Sequence, residues 1–145
     1  MAEIFIGTSN GSNTWYGLTN KASTFDGVAL VDKENLFINM DEDDSAYLLE
    51  WIFDKYYDKE INMYDSLEHW GENYFEIVIV RKVLEEVDEI CKNLKSQVQN
   101  SRVEINGCRD YFCYEAVDFY EKFILLVTNI LDKNPDYKYF VVSGP

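Results

Sequence analysis

Hydrophobic residues recur every three or four positions in three parts of the chain, and this spacing predicts three helices. The first is expected to begin at the acidic residues 41–44, which suit the positive end of a helix dipole, and to end near Lys59. The second is expected over about residues 71–99 and the third over about residues 110–131. The buried stripe of the first helix is predicted to comprise Leu48, Leu49, Ile52, Phe53 and Tyr56.

The second helix carries the most regular pattern in the chain, a seam of apolar residues spaced alternately three and four apart. The seam comprises Ile77, Val80, Leu84, Val87, Cys91, Leu94 and Val98. Residues 77–80 alone have the β-branched composition of a strand, but the longer pattern favours a helix. We expect the seam to pack against the third helix.

Short alternating or β-branched segments predict strands at both ends of the chain. The expected strands cover residues 2–7, 14–18, 28–31, 36–40 and 137–142. Asn10-Gly11 suits a hairpin turn after the first strand, and Asn106-Gly107 marks a turn after a short extended piece over 102–105. We therefore expect an α+β fold, with an N-terminal antiparallel β meander packed on about three helices and a C-terminal strand that returns to the sheet.

Length and composition predict one domain over residues 1–145. Hydrophobic residues make up 47% of the chain and aromatic residues 16%, which excludes a disordered acidic tail. We expect no membrane span, because no apolar stretch is long enough, and no signal peptide, because the first residues lack the typical basic and apolar pattern. Three cysteines without paired spacing indicate reduced thiols, and the predicted location is the cytoplasm.

The formal net charge of -14 is unevenly distributed along the chain. Residues 41–80 contain twelve Asp or Glu and two Lys, whereas residues 81–145 are close to balance. A negative field repels nucleic acid and anionic membranes, and it attracts basic proteins at enhanced rates. The charge therefore argues against direct nucleic-acid or membrane binding and favours a basic protein partner.

No set of residues in the sequence matches a known catalytic or metal-binding pattern. An EF-hand loop counted from Asp41 would place Ala46 where Gly is required and Ile52 where Glu is required. His69 is the only histidine, which excludes most zinc and iron sites built on several histidines. We expect no cofactor and no metal, and we predict that the protein is not an enzyme.

Aromatic and acidic residues alternate between Trp51 and Tyr74, a composition that suits a protein interface in which charges steer and aromatic rings anchor. The alternative is that these rings belong to the core, and the sequence leaves both open. In size and charge the chain resembles bacterial toxin-immunity proteins and inhibitors that mimic nucleic acid, although no motif identifies a family. The leading hypothesis is a non-catalytic acidic protein that occludes a basic partner. The expected contacts lie on the outer face of the first helix: Asp43, Glu50, Asp54, Tyr57 and Asp58.

Two other hypotheses remain open at this point. The protein could be a structural or regulatory module that forms a homo-oligomer, or joins a larger assembly, through the seam from Ile77 to Val98. It could also be an enzyme of unfamiliar type that uses His69 or Cys108, because a cysteine near a helix N-terminus can have a lowered pKa.

Overall fold

The computed structural model describes the backbone of residues 5–9, 26–29, 42–67, 72–105, 107–133 and 135–143, and side chains within 48–67, 72–105, 111–133 and 135–142. In these ranges the elements are β1 (Phe5–Ser9), β2 (Asp26–Ala29), α1 (Glu42–Lys55), β3 (Glu72–Glu76), α2 (Ile77–Lys95), β4 (Arg102–Ile105), β5 (Cys108–Phe112), α3 (Cys113–Lys133) and β6 (Tyr139–Ser143). A short 3-10 helix covers Lys59–Ile61. The predicted α+β class is confirmed.

Both ends of the described chain contribute to one antiparallel sheet, whose strand order is β2-β1-β6-β3. The last strand, β6, pairs with β1 on one side and with β3 on the other, so its predicted return to the N-terminal sheet is confirmed. The arrangement departs from a simple N-terminal meander because β6 lies between β1 and β3. The strands expected over 14–18 and 36–40, and the turn at Asn10-Gly11, lie outside the described residues.

A cluster of buried side chains from α1, α2, α3, β3, β4, β5 and β6 forms the hydrophobic core. Phe53 of α1 lies at its centre, with its ring 5.0 Å from that of Phe75, 6.0 Å from Phe123 and 6.4 Å from Phe140. Phe75 and Phe140 are opposite each other in the β3–β6 register, so they share one face of the sheet. The helices therefore cover this face of the sheet through aromatic contacts.

The second helix is shorter than the sequence predicted. It begins at Ile77 because residues 72–76 form β3, where pairing with β6 and the burial of Phe75 override the helical pattern. The seam packs against α3 as expected, and its members Val80, Val87, Cys91 and Leu94 are buried within the chain. Val98 lies beyond the end of the helix and is exposed.

Smaller differences concern the other two helices. The third helix begins at Cys113 and not near residue 110, because β5 continues to Phe112 and pairs with β4. The turn between these strands contains Gly107 at a φ of +85°, a conformation that a residue with a Cβ adopts at a cost. The first helix ends at Lys55, four residues earlier than expected. Of its predicted stripe, Tyr56 is half-buried and the other four residues are buried.

Candidate functional site

The connection between α1 and β3, residues 56–67, carries an excess of exposed carboxylates and is called the acidic loop below. Its acidic residues Asp58, Glu60 and Asp65 are all exposed. Asp54, in the last turn of α1, adds an exposed carboxylate next to the loop. The neighbouring cation of α1, Lys55, forms a 2.6 Å ion pair with Glu86 of α2, so its charge is already matched by another carboxylate.

Asn62 fixes the middle of the acidic loop to the edge of the sheet. Its side chain is 6% exposed, and its amide nitrogen donates to the carbonyl oxygens of Asp58, at 2.7 Å, and Tyr74, at 3.0 Å. Its amide oxygen accepts from the backbone N–H of Tyr74 at 2.7 Å. The side chain thereby takes the place that a neighbouring strand would occupy beside β3. The loop is ordered by these bonds within the free chain.

Tyr57 provides a second anchor for the acidic loop. Its hydroxyl donates to the carbonyl oxygen of Tyr64 at 2.8 Å, and its ring packs edge-on against Phe75 with 6.4 Å between centroids. Asp58 acts within the loop as well, since its carboxylate accepts from the backbone N–H of Glu60 at 2.9 Å and caps the short 3-10 helix. Two of the expected contact residues therefore also hold the loop in shape.

The five expected contact residues do not share one helical face. Asp54, Tyr57 and Asp58 come together where α1 ends and the acidic loop begins. Glu50 lies one turn earlier on α1 and is half-buried. Asp43 is in the first turn of α1, and its side chain lies outside the described residues. Their role as partner contacts remains a prediction.

Two exposed large hydrophobic residues of the acidic loop were not among the expected contacts. Met63 is 38% exposed and Tyr64 is 50% exposed, and both lie between the carboxylates of Glu60 and Asp65 in the chain. Residues 59–67 have no hydrophobic period, so the sequence contained no signal that could assign these side chains to the surface. Tyr64 is one of the aromatic residues that alternate with acidic residues between Trp51 and Tyr74, whereas nothing in the sequence pointed to Met63.

The aromatic residues between Trp51 and Tyr74 divide between the core and the surface. Tyr74 is buried, and Trp51, Tyr56 and Tyr57 are half-buried. Burial raises the pKa of the Tyr74 hydroxyl, as does the 2.5 Å hydrogen bond that it donates to the Glu72 carboxylate. Trp70 lies outside the described residues. Tyr64 is thus the aromatic residue of this set, among those described, that is most available to a partner.

The described cysteines do not resemble nucleophiles. Cys91 and Cys113 are free and buried, and burial raises the pKa of both thiols. The Cys113 thiol donates to the Leu94 carbonyl oxygen at 2.9 Å, which fixes it between α2 and α3. Cys108 lies in β5 and not near a helix N-terminus as expected. Its side chain and the whole of His69 lie outside the described residues.

Among the described residues, no group of three or more His, Cys, Asp or Glu side chains is placed to hold a metal ion. None of the described helices is both long enough and apolar enough to cross a membrane. Comparison of the chain with known protein families, with curated proteins and with solved structures finds no match.

Proposed function

We propose that this chain is a non-catalytic, cytoplasmic binding protein that uses the acidic loop and the adjoining end of α1 to occlude a basic surface on a partner protein. The partner class is that of a basic toxin or a nucleic-acid-binding enzyme, which an acidic protein neutralises in the manner of an immunity protein or a nucleic-acid mimic. The observation that carries this proposal is the position of Tyr64, half exposed between acidic residues on a loop that is fixed before any partner binds.

Charge and anchoring have separate roles in this proposal. The exposed carboxylates of Asp54, Asp58, Glu60 and Asp65 attract a basic surface over several ångströms and raise the association rate. Tyr64 supplies contact area at low conformational cost, as tyrosine does at the centres of many interfaces. Met63 beside it provides an adaptable apolar contact.

The fixed conformation of the acidic loop in the free protein also supports the proposed binding function. A loop that must order on binding loses affinity, because the ordering entropy is subtracted from the contact free energy. The bonds from Asn62 to Tyr74 and from Tyr57 to Tyr64 remove that cost, since they hold the loop against the sheet in the free protein. The loop thereby offers a partner a surface of fixed shape.

The test begins with capture of partners from the native lysate at low and moderate salt, followed by affinity measurements on the captured basic protein. We expect the double variant Asp54→Asn, Asp65→Asn to weaken binding about 3- to 30-fold, which corresponds to two surface charge pairs. It should also reduce the dependence of affinity on salt. The matched control is Asp132→Asn, Asp136→Asn, which removes two exposed carboxylates outside the loop and should change affinity much less.

Tyr64→Ala separates anchoring from charge, because it leaves the net charge unchanged. We expect it to weaken binding by about 1–4 kcal/mol with no change in salt dependence. If both double variants weaken binding equally, the acidic loop is not the interface and only the overall charge matters. If no basic protein is retained at low salt, the proposal is wrong.

A further inference from the structure

A groove of about 440 Å³ lies between α2 and β4, with Trp51 of α1 as part of its lining. This volume falls within the ~300–1,000 Å³ of typical ligand sites. Ile90 of α2 is half-buried and contributes apolar surface, Leu94 and Val103 are buried, and Asn93 and Gln97 contribute exposed polar surface. The groove therefore has a partly apolar lining, to which α1, α2 and β4 all contribute.

The indole of Trp51 presents carbon to this groove. Trp51 as a whole is half-buried, while its ring nitrogen is fully buried, so the accessible part of the side chain is carbon surface. The face of an indole is the best aromatic partner for a cation, and it accepts the planar guanidinium of arginine by stacking. This surface alone would accept many apolar groups, so selectivity must come from charge.

Both charged residues that line the groove are carboxylates, Glu89 of α2 and Glu104 of β4. Glu89 is exposed, and we assign to its carboxylate the role of balancing the charge of a bound cation. A second groove, between α2 and α3, differs because its lining includes complete ion pairs. Lys92 pairs with Asp88 at 2.9 Å, and Lys95 pairs with Glu121 at 2.9 Å. Of the two grooves, the one beside Trp51 is the one suited to a cation.

We propose that the groove between α2 and β4 receives an arginine side chain of the basic partner, an inference that rests on the proposed function for the class of that partner. The aliphatic part of arginine would lie along Ile90, its guanidinium would stack on Trp51, and Glu89 would balance its charge. Lysine fits less well, because its compact and strongly hydrated ammonium gains less from stacking on a ring.

The groove lies close to the acidic loop. Trp51 and Asp54 are three residues apart on α1 and are therefore neighbours on the helix surface. The Lys55–Glu86 ion pair joins α1 to α2 one turn from Trp51 and Glu89, and it matches the positive charge of Lys55. One basic partner could thus cover the acidic loop and place one arginine in the groove.

The test uses the full chain and two short blocked peptides, acetyl-Gly-Arg-Gly-amide and its citrulline analogue, which has the same shape without the charge. Titration by NMR should shift the resonances of Trp51, Ile90, Leu94 and Val103 in a saturable way for the arginine peptide. We expect this peptide to bind about five-fold more tightly than the citrulline peptide, as expected for one exposed charge pair. Glu89→Gln should remove most of that difference.

The matched control is Glu85→Gln, which removes an exposed carboxylate one turn earlier on α2 and outside the groove lining. It should leave the affinity for the arginine peptide nearly unchanged. Equal weakening by Glu85→Gln and Glu89→Gln, equal binding of the two peptides, or shifts confined to the acidic loop would each overturn the inference.

The outcome for the groove is separable from that for the proposed function. If a captured partner loses affinity with Asp54→Asn, Asp65→Asn but not with Glu89→Gln, the groove inference is wrong and the proposed function stands. If the arginine peptide binds in the groove and no basic protein is captured, the groove is an arginine site and the proposed function is wrong.

Discussion

Asn62 is a single residue that connects the shape of the acidic loop to the integrity of the sheet. It donates two hydrogen bonds and accepts one, and it satisfies both backbone groups of Tyr74 that point away from β6. No aliphatic side chain can replace these bonds, and Asp would place lone pairs against two carbonyl oxygens. At this position the sequence specifies an amide because the backbone of an edge strand needs a donor and an acceptor together.

We expect Asn62→Ala to lower the free energy of unfolding by about 2–4 kcal/mol, because it leaves the N–H and C=O of Tyr74 buried without partners. The measurement is the urea midpoint at unchanged m-value. Asn129→Ala is the control. Asn129 is solvent-exposed and lies away from the ends of α3, so alanine there should be neutral or slightly stabilising. A loss below about 0.5 kcal/mol for Asn62→Ala would mean that water replaces the amide and that the loop is held by other contacts.

The start of α2 is the element at which local preference and tertiary structure disagree. Residues 77–80 are β-branched throughout yet helical, whereas residues 72–76, which the sequence assigned to the same helix, form a strand. A strand would bring Val78 and Val80 to the same face, because strand side chains alternate with a period of two. In the helix they face apart, and Val78 is 58% exposed while Val80 is completely buried.

Two valine-to-alanine substitutions distinguish a helix from a strand at residues 77–80. Val80→Ala should lower the free energy of unfolding by about 2 kcal/mol, because it leaves a cavity between α2 and its neighbours. Val78→Ala should be neutral or stabilise by up to about 0.5 kcal/mol, since alanine has the higher helix propensity. Comparable losses at both positions, read from urea midpoints, would show that this segment is a strand with both side chains on one buried face.

The presence of a helix was predictable wherever hydrophobic residues recurred with helical spacing over a long segment. The residues at which the helices begin and end were not predictable. The stripe on α1 and the seam on α2 identified buried residues such as Ile52 and Val87, because seven or more residues of periodic sequence outweigh local preference. The start of α2 depended on the pairing of β3 with β6, which is distant in sequence and leaves no trace in a short window, whereas the start of α3 depended on the local hairpin of β4 and β5. The fixed shape of the acidic loop was not predictable from the sequence either. It depends on the contacts of Asn62 with β3 and of Tyr57 with Tyr64.

At the scale of the whole molecule, the charge of -14 opposes compaction, and the ion pairs of the described residues offset little of it. Ion pairs among the described residues include Lys55–Glu86, Lys92–Asp88, Lys95–Glu121 and Lys122–Asp118. All four retain solvent-exposed partners, so water screens them and each contributes little to stability. We therefore expect repulsion among carboxylates, including those of the acidic loop, to be the larger electrostatic effect on stability.

We expect added NaCl to raise the melting temperature between about 10 mM and 300 mM, because salt screens this repulsion more than it weakens the exposed pairs. Each kcal/mol of relief corresponds to about 2–4 °C for a chain of this size. The double variant Asp54→Asn, Asp65→Asn starts with less repulsion and should gain less from salt, as measured by calorimetry at pH 7. A melting temperature that falls with salt would show instead that the ion pairs dominate. A basic partner bound at the acidic loop would relieve the same repulsion directly, so it should stabilise the protein more at low salt than at high salt.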